Sequence, residues 1–181
     1  QLEVLSFCRL LSRLAPVHTD RLLVLGCGAG ALVLAGALLY SLDSVQGLNP
    51  MPGCIEEART TELMYAEKQS EEQGGQDLVK QTHPSRVCLL EGHVLKQTWE
   101  GVTLLLICSA SFDSNLMLDI SLKCRELSAM ARVVTLGKPL PSWTRHKSET
   151  EPSEQGEFKV CWQCQVRKSG DEVTVAYIHQ R

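Results

Sequence analysis

The sequence has no run of about 18 apolar residues, the length a membrane-spanning helix needs. Its longest apolar stretch, Ala31 to Leu42, is too short for that and reads as a buried helix. No charged start, apolar core and small-residue cleavage site opens the chain, so no secretory signal is read there. The first residue is Gln1 rather than Met, which is expected of a fragment or a processed form. There is no basic run, and a net charge of -3 with a pI near 6.0 argues against a strongly basic nucleic-acid binder. No second Cys-x-x-Cys and no paired histidines accompany Cys161-Trp162-Gln163-Cys164. That spacing alone supplies only half of a zinc site, so no metal is expected. No internal repeat is visible.

What is present suits one globular domain covering 1–181, with a leading helix over 2–14 and a core over 21–181. The 181 residues are 44% hydrophobic and 22% charged, enough to enclose a sizeable core. Eight cysteines stand at 8, 27, 54, 88, 108, 124, 161 and 164, mostly inside apolar runs such as Leu106-Ile107-Cys108. Free cysteine behaves as a small buried hydrophobe, so they are read as reduced core residues of an intracellular protein.

Leu2, Val4, Leu5, Phe7, Cys8, Leu10, Leu11 and Leu14 recur at helical spacing, and Pro16 ends that helix. Arg21 to Leu25 is a continuous apolar run, the mark of a strand buried on both faces. Gly26-Cys27-Gly28-Ala29-Gly30 follows at once, then the apolar helix Ala31 to Leu42. Asp43 to Leu48 reads as a second strand, and Cys54 to Gln69 as a helix with Ile55, Ala58, Leu63 and Ala66 facing inward. Ser70 to Gln76 and Ser142 to Gly156 are polar and read as loops. Arg86 to Leu90, Val102 to Cys108 and Ala131 to Leu136 are three further strands, with a helix over Asn115 to Leu127. Phe158 to Gln165 and Glu172 to His179 alternate around Lys168-Ser169-Gly170-Asp171, a hairpin. The fold class is therefore α/β: a three-layer Rossmann-like arrangement on a seven-stranded, mostly parallel sheet with a C-terminal antiparallel hairpin. Class I methyltransferases commonly end in this way.

Gly26, Gly28 and Gly30 permit a tight turn and a close ligand approach at the start of a helix. A nicotinamide site would need GxGxxG and an acid closing the second strand. Here Gly30 comes too early and the strand closes on Leu48-Asn49.

Five segments together resemble the disruptor-of-telomeric-silencing type of histone-lysine methyltransferase, which uses a Rossmann-like domain rather than a SET domain. Leu25-Gly26-Cys27-Gly28-Ala29-Gly30 is similar to its D-L-G-S-G-x-G turn, and Leu90-Glu91-Gly92-His93-Val94-Leu95 with Trp99 to its R-G-D-F-L segment. Ile107-Cys108-Ser109-Ala110-Ser111-Phe112 falls where that family has V-N-N-F-A-F. Ala131 to Leu140 is similar to G-R-I-V-S-S-K-P-F, and Val160-Cys161-Trp162 and Tyr177-Ile178-His179 to its closing strands. The resemblance implies S-adenosylmethionine as cofactor, held by Gly26, Cys27, Gly28, Gly30, Asn49 and His93. It implies a methyl-transfer region at Cys108, Ser109, Ser111 and Phe112, a histone or nucleosome as partner if the protein is active, and the nucleus as compartment.

The departures point the other way. The family's acids fall on Val24, Asn49 and His93, and its paired asparagines on Cys108 and Ser109. Each lost charge-assisted hydrogen bond is worth about 1.5–3 kcal/mol, so cofactor binding is expected to be weakened by orders of magnitude. Two roles stand open for Asn49, a ribose contact or a turn former before Pro50, and two for His93, an adenine contact or a plain loop residue. Ser109 and Ser111 either line a substrate channel or satisfy backbone groups, and Phe112 is the best candidate for a site wall. The expectation is a degenerate methyltransferase-fold protein, a pseudoenzyme acting through protein contacts in a larger assembly. The alternative is an active S-adenosylmethionine-dependent protein-lysine methyltransferase.

Overall fold

The computed structural model describes residues 2–73, 85–141, 158–168 and 172–180. The elements run α1 (Val4–Leu14), β1 (Arg21–Leu25), α2 (Ala31–Leu39), β2 (Ser44–Asn49), α3 (Pro52–Gln73), β3 (Arg86–Glu91), β4 (Leu104–Ile107), α4 (Ser114–Lys123), β5 (Arg132–Leu136), β6 (Lys159–Arg167) and β7 (Val173–Gln180). Short 3₁₀ turns over Ser109–Ser111 and Cys124–Glu126 flank α4.

The strands form one seven-stranded sheet in the order β3-β2-β1-β4-β5-β7-β6. β1 to β5 pair in parallel, while β7 is antiparallel to both β5 and β6. Alternation along each strand sorts the apolar residues to two faces. Leu22, Val24, Leu104, Leu106 and Val134 pack with α1 and α2 in one cluster. Leu23, Leu25, Leu105, Ile107 and Val133 pack with α4 and Trp99 in the other. α2 is apolar on nearly every side because it lies between the sheet and its neighbours; Leu32 to Ala37 are all buried. Gly36 lets it approach closely, since a Cβ there would stand 3.0 Å from Leu22 Cδ2.

α1 is tied down by a polar cluster at the amino ends of the strands. The Asp20 carboxylate accepts hydrogen bonds from Arg132 Nη2 (2.6 Å), Thr103 Oγ1 (2.7 Å) and the Val17 N–H (2.7 Å). Burial alone would raise the Asp20 pKa, but these bonds and the Arg132 charge outweigh it and hold the carboxyl below its ordinary value. Arg132 Nη1 also donates to the carbonyls of Leu14 and Ala15, which satisfies groups that a helix end leaves open.

Several expectations are corrected. Val4 and Leu5 face solvent although they sit in the apolar helix pattern, because only one stripe of α1 can meet the core. Leu63 is 65% exposed rather than inward, while Ala58 is fully buried; the side chains of Ile55 and Ala66 lie outside the described residues. α3 continues through Gln73, because Ser70 to Gln73 contains helix-compatible Glu and Gln and no glycine or proline before Gly74. The rest of that loop, the segment 142–156 and the hairpin residues 169–171 lie outside the described residues. All eight cysteines are free, but only Cys27 and Cys124 are fully buried and Cys161 is exposed, since edge strand β6 has little covering it. Among the described residues no helix is long and apolar enough to cross a membrane, and no group of three or more His, Cys, Asp or Glu is placed to hold a metal.

Candidate cofactor cleft

β1 has β2 on one side and β4 on the other, and the chain leaves β1 toward β2 and β4 toward β5. The strand order therefore reverses at this pair. In open α/β sheets the crevice beyond the carboxyl ends of such strands is where ligands bind. The glycine turn occupies that position.

Gly26, Gly28 and Gly30 all have positive φ, at 72°, 56° and 83°. A side chain would be strained at each, yet the three have different surroundings. A Cβ on Gly28 would meet nothing within 4 Å, so the backbone there is open to an approaching group. A Cβ on Gly26 would lie 3.4 Å from Cys108 Cβ and Phe112 Cζ, so the chain itself occupies that side. One on Gly30 would stand 3.2 Å from Leu89 Cδ1, which makes Gly30 a packing residue between α2 and β3. The N–H groups of Gly26 and Cys27 both donate to the Leu48 carbonyl, locking the turn onto β2.

Cys27, Val24 and Asn49 are turned into the protein. Cys27 is buried, its sulfur packed over Gly47 of β2, where a Cβ would come within 2.9 Å of it. Burial pushes its thiol up to about 11. Val24 is fully buried in the core. Asn49 is buried with both ends of its amide engaged: Nδ2 donates to the Gly28 carbonyl (3.3 Å) and Oδ1 accepts the Met51 N–H (3.1 Å). The second bond is the turn-forming contact expected before a proline-rich turn. His93 is exposed, and its Nδ1 accepts the N–H of Leu95 (3.3 Å), a local turn bond.

At the end of β4, burial and then the neighbouring Cys27 push the Cys108 thiol up to about 12, so it stays protonated. Ser109 is fully buried. Its hydroxyl lies 2.8 Å from the Leu136 carbonyl and 3.0 Å from that of Lys138, and accepts the Lys138 N–H (3.0 Å). It staples the end of β4 to the end of β5. Ser111 is exposed, while Phe112 is buried with its ring against Gly26, a wall of the cleft. Lys138 Nζ donates to the Phe112 carbonyl and fixes that wall.

Two residues were missed at the level of sequence. Gly47 is one: its missing side chain is what admits Cys27, and a glycine inside a strand was the available signal. Glu91 is the other. The β2–β3 register sets it beside Asn49, on the same side of the sheet, and it is exposed. It is the charged residue at the carboxyl end of β3.

No protein-family model and no curated protein matches the sequence. Similarity is found among solved structures. An RNA methyltransferase from Salinibacter ruber, solved with S-adenosyl-L-homocysteine, is 18% identical with a TM-score of 0.60 and covers 95% of this chain and 87% of its own. TrmN from Thermus thermophilus is 14% identical with a TM-score of 0.65, and the match takes in 97% of this chain but 48% of that one. The methyltransferase domain of a bacterial CtHen1 is 13% identical with a TM-score of 0.59, covering 97% of each. At these identities the likeness shows the fold alone, and that fold is the class I S-adenosylmethionine-dependent methyltransferase fold.

The cleft fits that cofactor only in part. The open backbone over Gly28 suits a close ligand contact. Val24 is buried, Asn49 is uncharged and engaged with Gly28 and Met51, and the side over Gly26 is lined by Cys108 and Phe112.

Proposed function

We propose that this chain is a non-catalytic member of the methyltransferase fold, acting through protein–protein contacts as a subunit of a larger assembly. The carrying observation is that two polar side chains at the cleft, Asn49 and Ser109, are engaged inside the protein. The Asn49 amide binds Gly28 and Met51, and the Ser109 hydroxyl staples β4 to β5. Turning the Ser109 hydroxyl to a ligand would give up a buried bond to the Leu136 carbonyl, a cost of about 1–3 kcal/mol, and turning Asn49 would give up its part-buried bond to Gly28. Isothermal titration with S-adenosylmethionine and with S-adenosyl-L-homocysteine tests this. Neither should bind below the millimolar range, and micromolar affinity for either would overturn it.

One observation favours a second reading, an active S-adenosylmethionine-dependent protein-lysine methyltransferase of the histone-modifying type that the sequence resembles. Glu91 stands beside Asn49 and could offer a ribose diol the carboxylate that Asn49 lacks. On that reading wild-type protein binds the cofactor at micromolar concentration, Glu91→Gln weakens it at least tenfold, and nucleosomes accept label from the cofactor.

A further inference from the structure

We infer that the outer edge of β6, with the groove between it and α1, is a docking site for an extended acidic segment of a partner protein, which adds a strand to the sheet. This deepens the protein-contact reading and names the chemistry of the partner.

Among the described residues β6 is the last strand of the sheet, and the strand it pairs with is β7. Its ladder fixes which backbone groups face outward. The Lys168 N–H donates inward to the Glu172 carbonyl (2.7 Å), so Arg167 must point away from β7, and it does. Its carbonyl accepts the Glu3 N–H (3.0 Å) and its own N–H donates to Ser6 Oγ (3.1 Å). Groups of one kind alternate along an antiparallel strand, so the N–H and C=O of Gln165 and Gln163 also face outward. They have no backbone partner among the described residues. The edge already accepts a strand at one end, where Leu2 forms an antiparallel bridge with Lys168. The chain then turns away into α1, and no described residue pairs with the next two outward positions.

Beside this edge lies a groove of about 510 Å³, lined by Glu3, Leu5, Arg9, Gln165, Arg167 and Val173 among others. Leu5 and Val173 are more than half exposed and offer an apolar anchor point. Arg9 and Arg167 are exposed and form no ion pair among the described residues, whereas Lys168 is neutralised by Glu172. Glu3 is the groove's own carboxylate, so cations outnumber it in a protein whose net charge is -3. Unpaired strand edge, apolar anchor and excess positive charge fit an extended peptide with acidic side chains. A second copy fits less well, because it would bring a face with the same excess of cations, Arg9 and Arg167, to this edge. A nucleic acid would use the cations but not the outward amides.

The test uses a fluorescein-labelled heptapeptide of alternating glutamate and valine, its fully N-methylated form, and a single-stranded oligouridylate, each titrated by anisotropy against the whole chain. The peptide is expected to bind saturably and to protect the Gln163 and Gln165 amides from hydrogen exchange. The N-methylated form should lose binding. Gln165→Pro removes one outward N–H without touching the β6–β7 ladder, and Arg9→Glu reverses a groove charge; each should weaken the peptide at least tenfold while circular dichroism stays native. Three results would overturn the proposal: no saturable binding, equal binding of the N-methylated peptide, or tighter binding of the oligouridylate that Gln165→Pro leaves unchanged. Sedimentation showing a dimer with the same amides protected would assign the edge to a second copy and overturn it too. A cofactor titration on the same sample reports separately: cofactor binding with intact peptide binding overturns the non-catalytic reading alone.

Discussion

His179 makes the stability of this protein depend on pH in a range where most of its groups do not titrate. It is fully buried on β7, with Nε2 3.1 Å from Thr135 Oγ1 and Nδ1 without a partner among the described residues. Protonation would place a cation in the interior, and burial lowers its pKa from 6.5 to about 4. Between those values the unfolded chain binds the proton and the folded one does not. Unfolding free energy therefore rises with pH through this window, and the stabilisation present above pH 6.5 is lost as pH falls toward 4. A displacement of this size is worth about 3 kcal/mol in full, of which about 2 kcal/mol is gone by pH 5. The assay is urea unfolding at pH 7 and pH 5 of the wild type and of His179→Gln, which does not titrate but can still accept from Thr135. With a denaturant slope of about 2 kcal/mol/M, the wild-type midpoint should fall by roughly 1 M more than that of the variant. Equal falls in both proteins would refute the assignment of this pH dependence to His179.

Three other outcomes are expected. Gly47→Ala would bring a Cβ within 2.6 Å of Val33 Cγ2, 2.7 Å of Leu89 Cδ2 and 2.9 Å of Cys27 Sγ; overpacking of this kind costs about 1–3 kcal/mol, and adding Val33→Ala should return part of it in the same thermal melts. Arg132→Ala leaves the Asp20 carboxylate buried without its cation and the last carbonyls of α1 unsatisfied, a loss of about 3 kcal/mol by urea titration at pH 7. Because Asp20 is held below its ordinary pKa, its stabilisation is present above that value and lost as pH falls, so the acid-unfolding midpoint should move to higher pH in this variant. Asn49→Asp gives up the amide donor to the Gly28 carbonyl and should destabilise the free protein by about 1–3 kcal/mol. If Asn49 stands where the ribose acid belongs, the same change should strengthen S-adenosylmethionine binding at least tenfold in scanning fluorimetry, and unchanged affinity would remove that assignment.

Each described α-helix and strand had a counterpart in the linear pattern, while the 3₁₀ turn Ser109–Ser111 had none. Continuous apolar runs such as Leu22 to Leu25 and Leu104 to Ile107 can only be strands covered on both faces, and the three glycines mark the one turn where positive φ recurs. These are properties of a few neighbouring residues, so sequence alone determines them. The same holds for the broad fold: strands alternating with helices and then a hairpin. What the tertiary structure alone decided is which polar groups remain available. Gly26, Gly28 and Gly30 are all recognisable in sequence, yet only Gly28 proves open, because Cys108 and Phe112 arrive from β4 to cover Gly26. Asn49 could have met a ribose, but its amide is taken by Gly28, 21 residues away. Ser109 could have faced a substrate, but its hydroxyl is held by Leu136, 27 residues away. Likewise Asp20 and His179 carry no local sign of burial; Arg132 and Thr135 reach them across 112 and 44 residues. Hydrogen-bond partners and burial are set by which elements pack together, and a reading of periodicity along one chain contains no term for that.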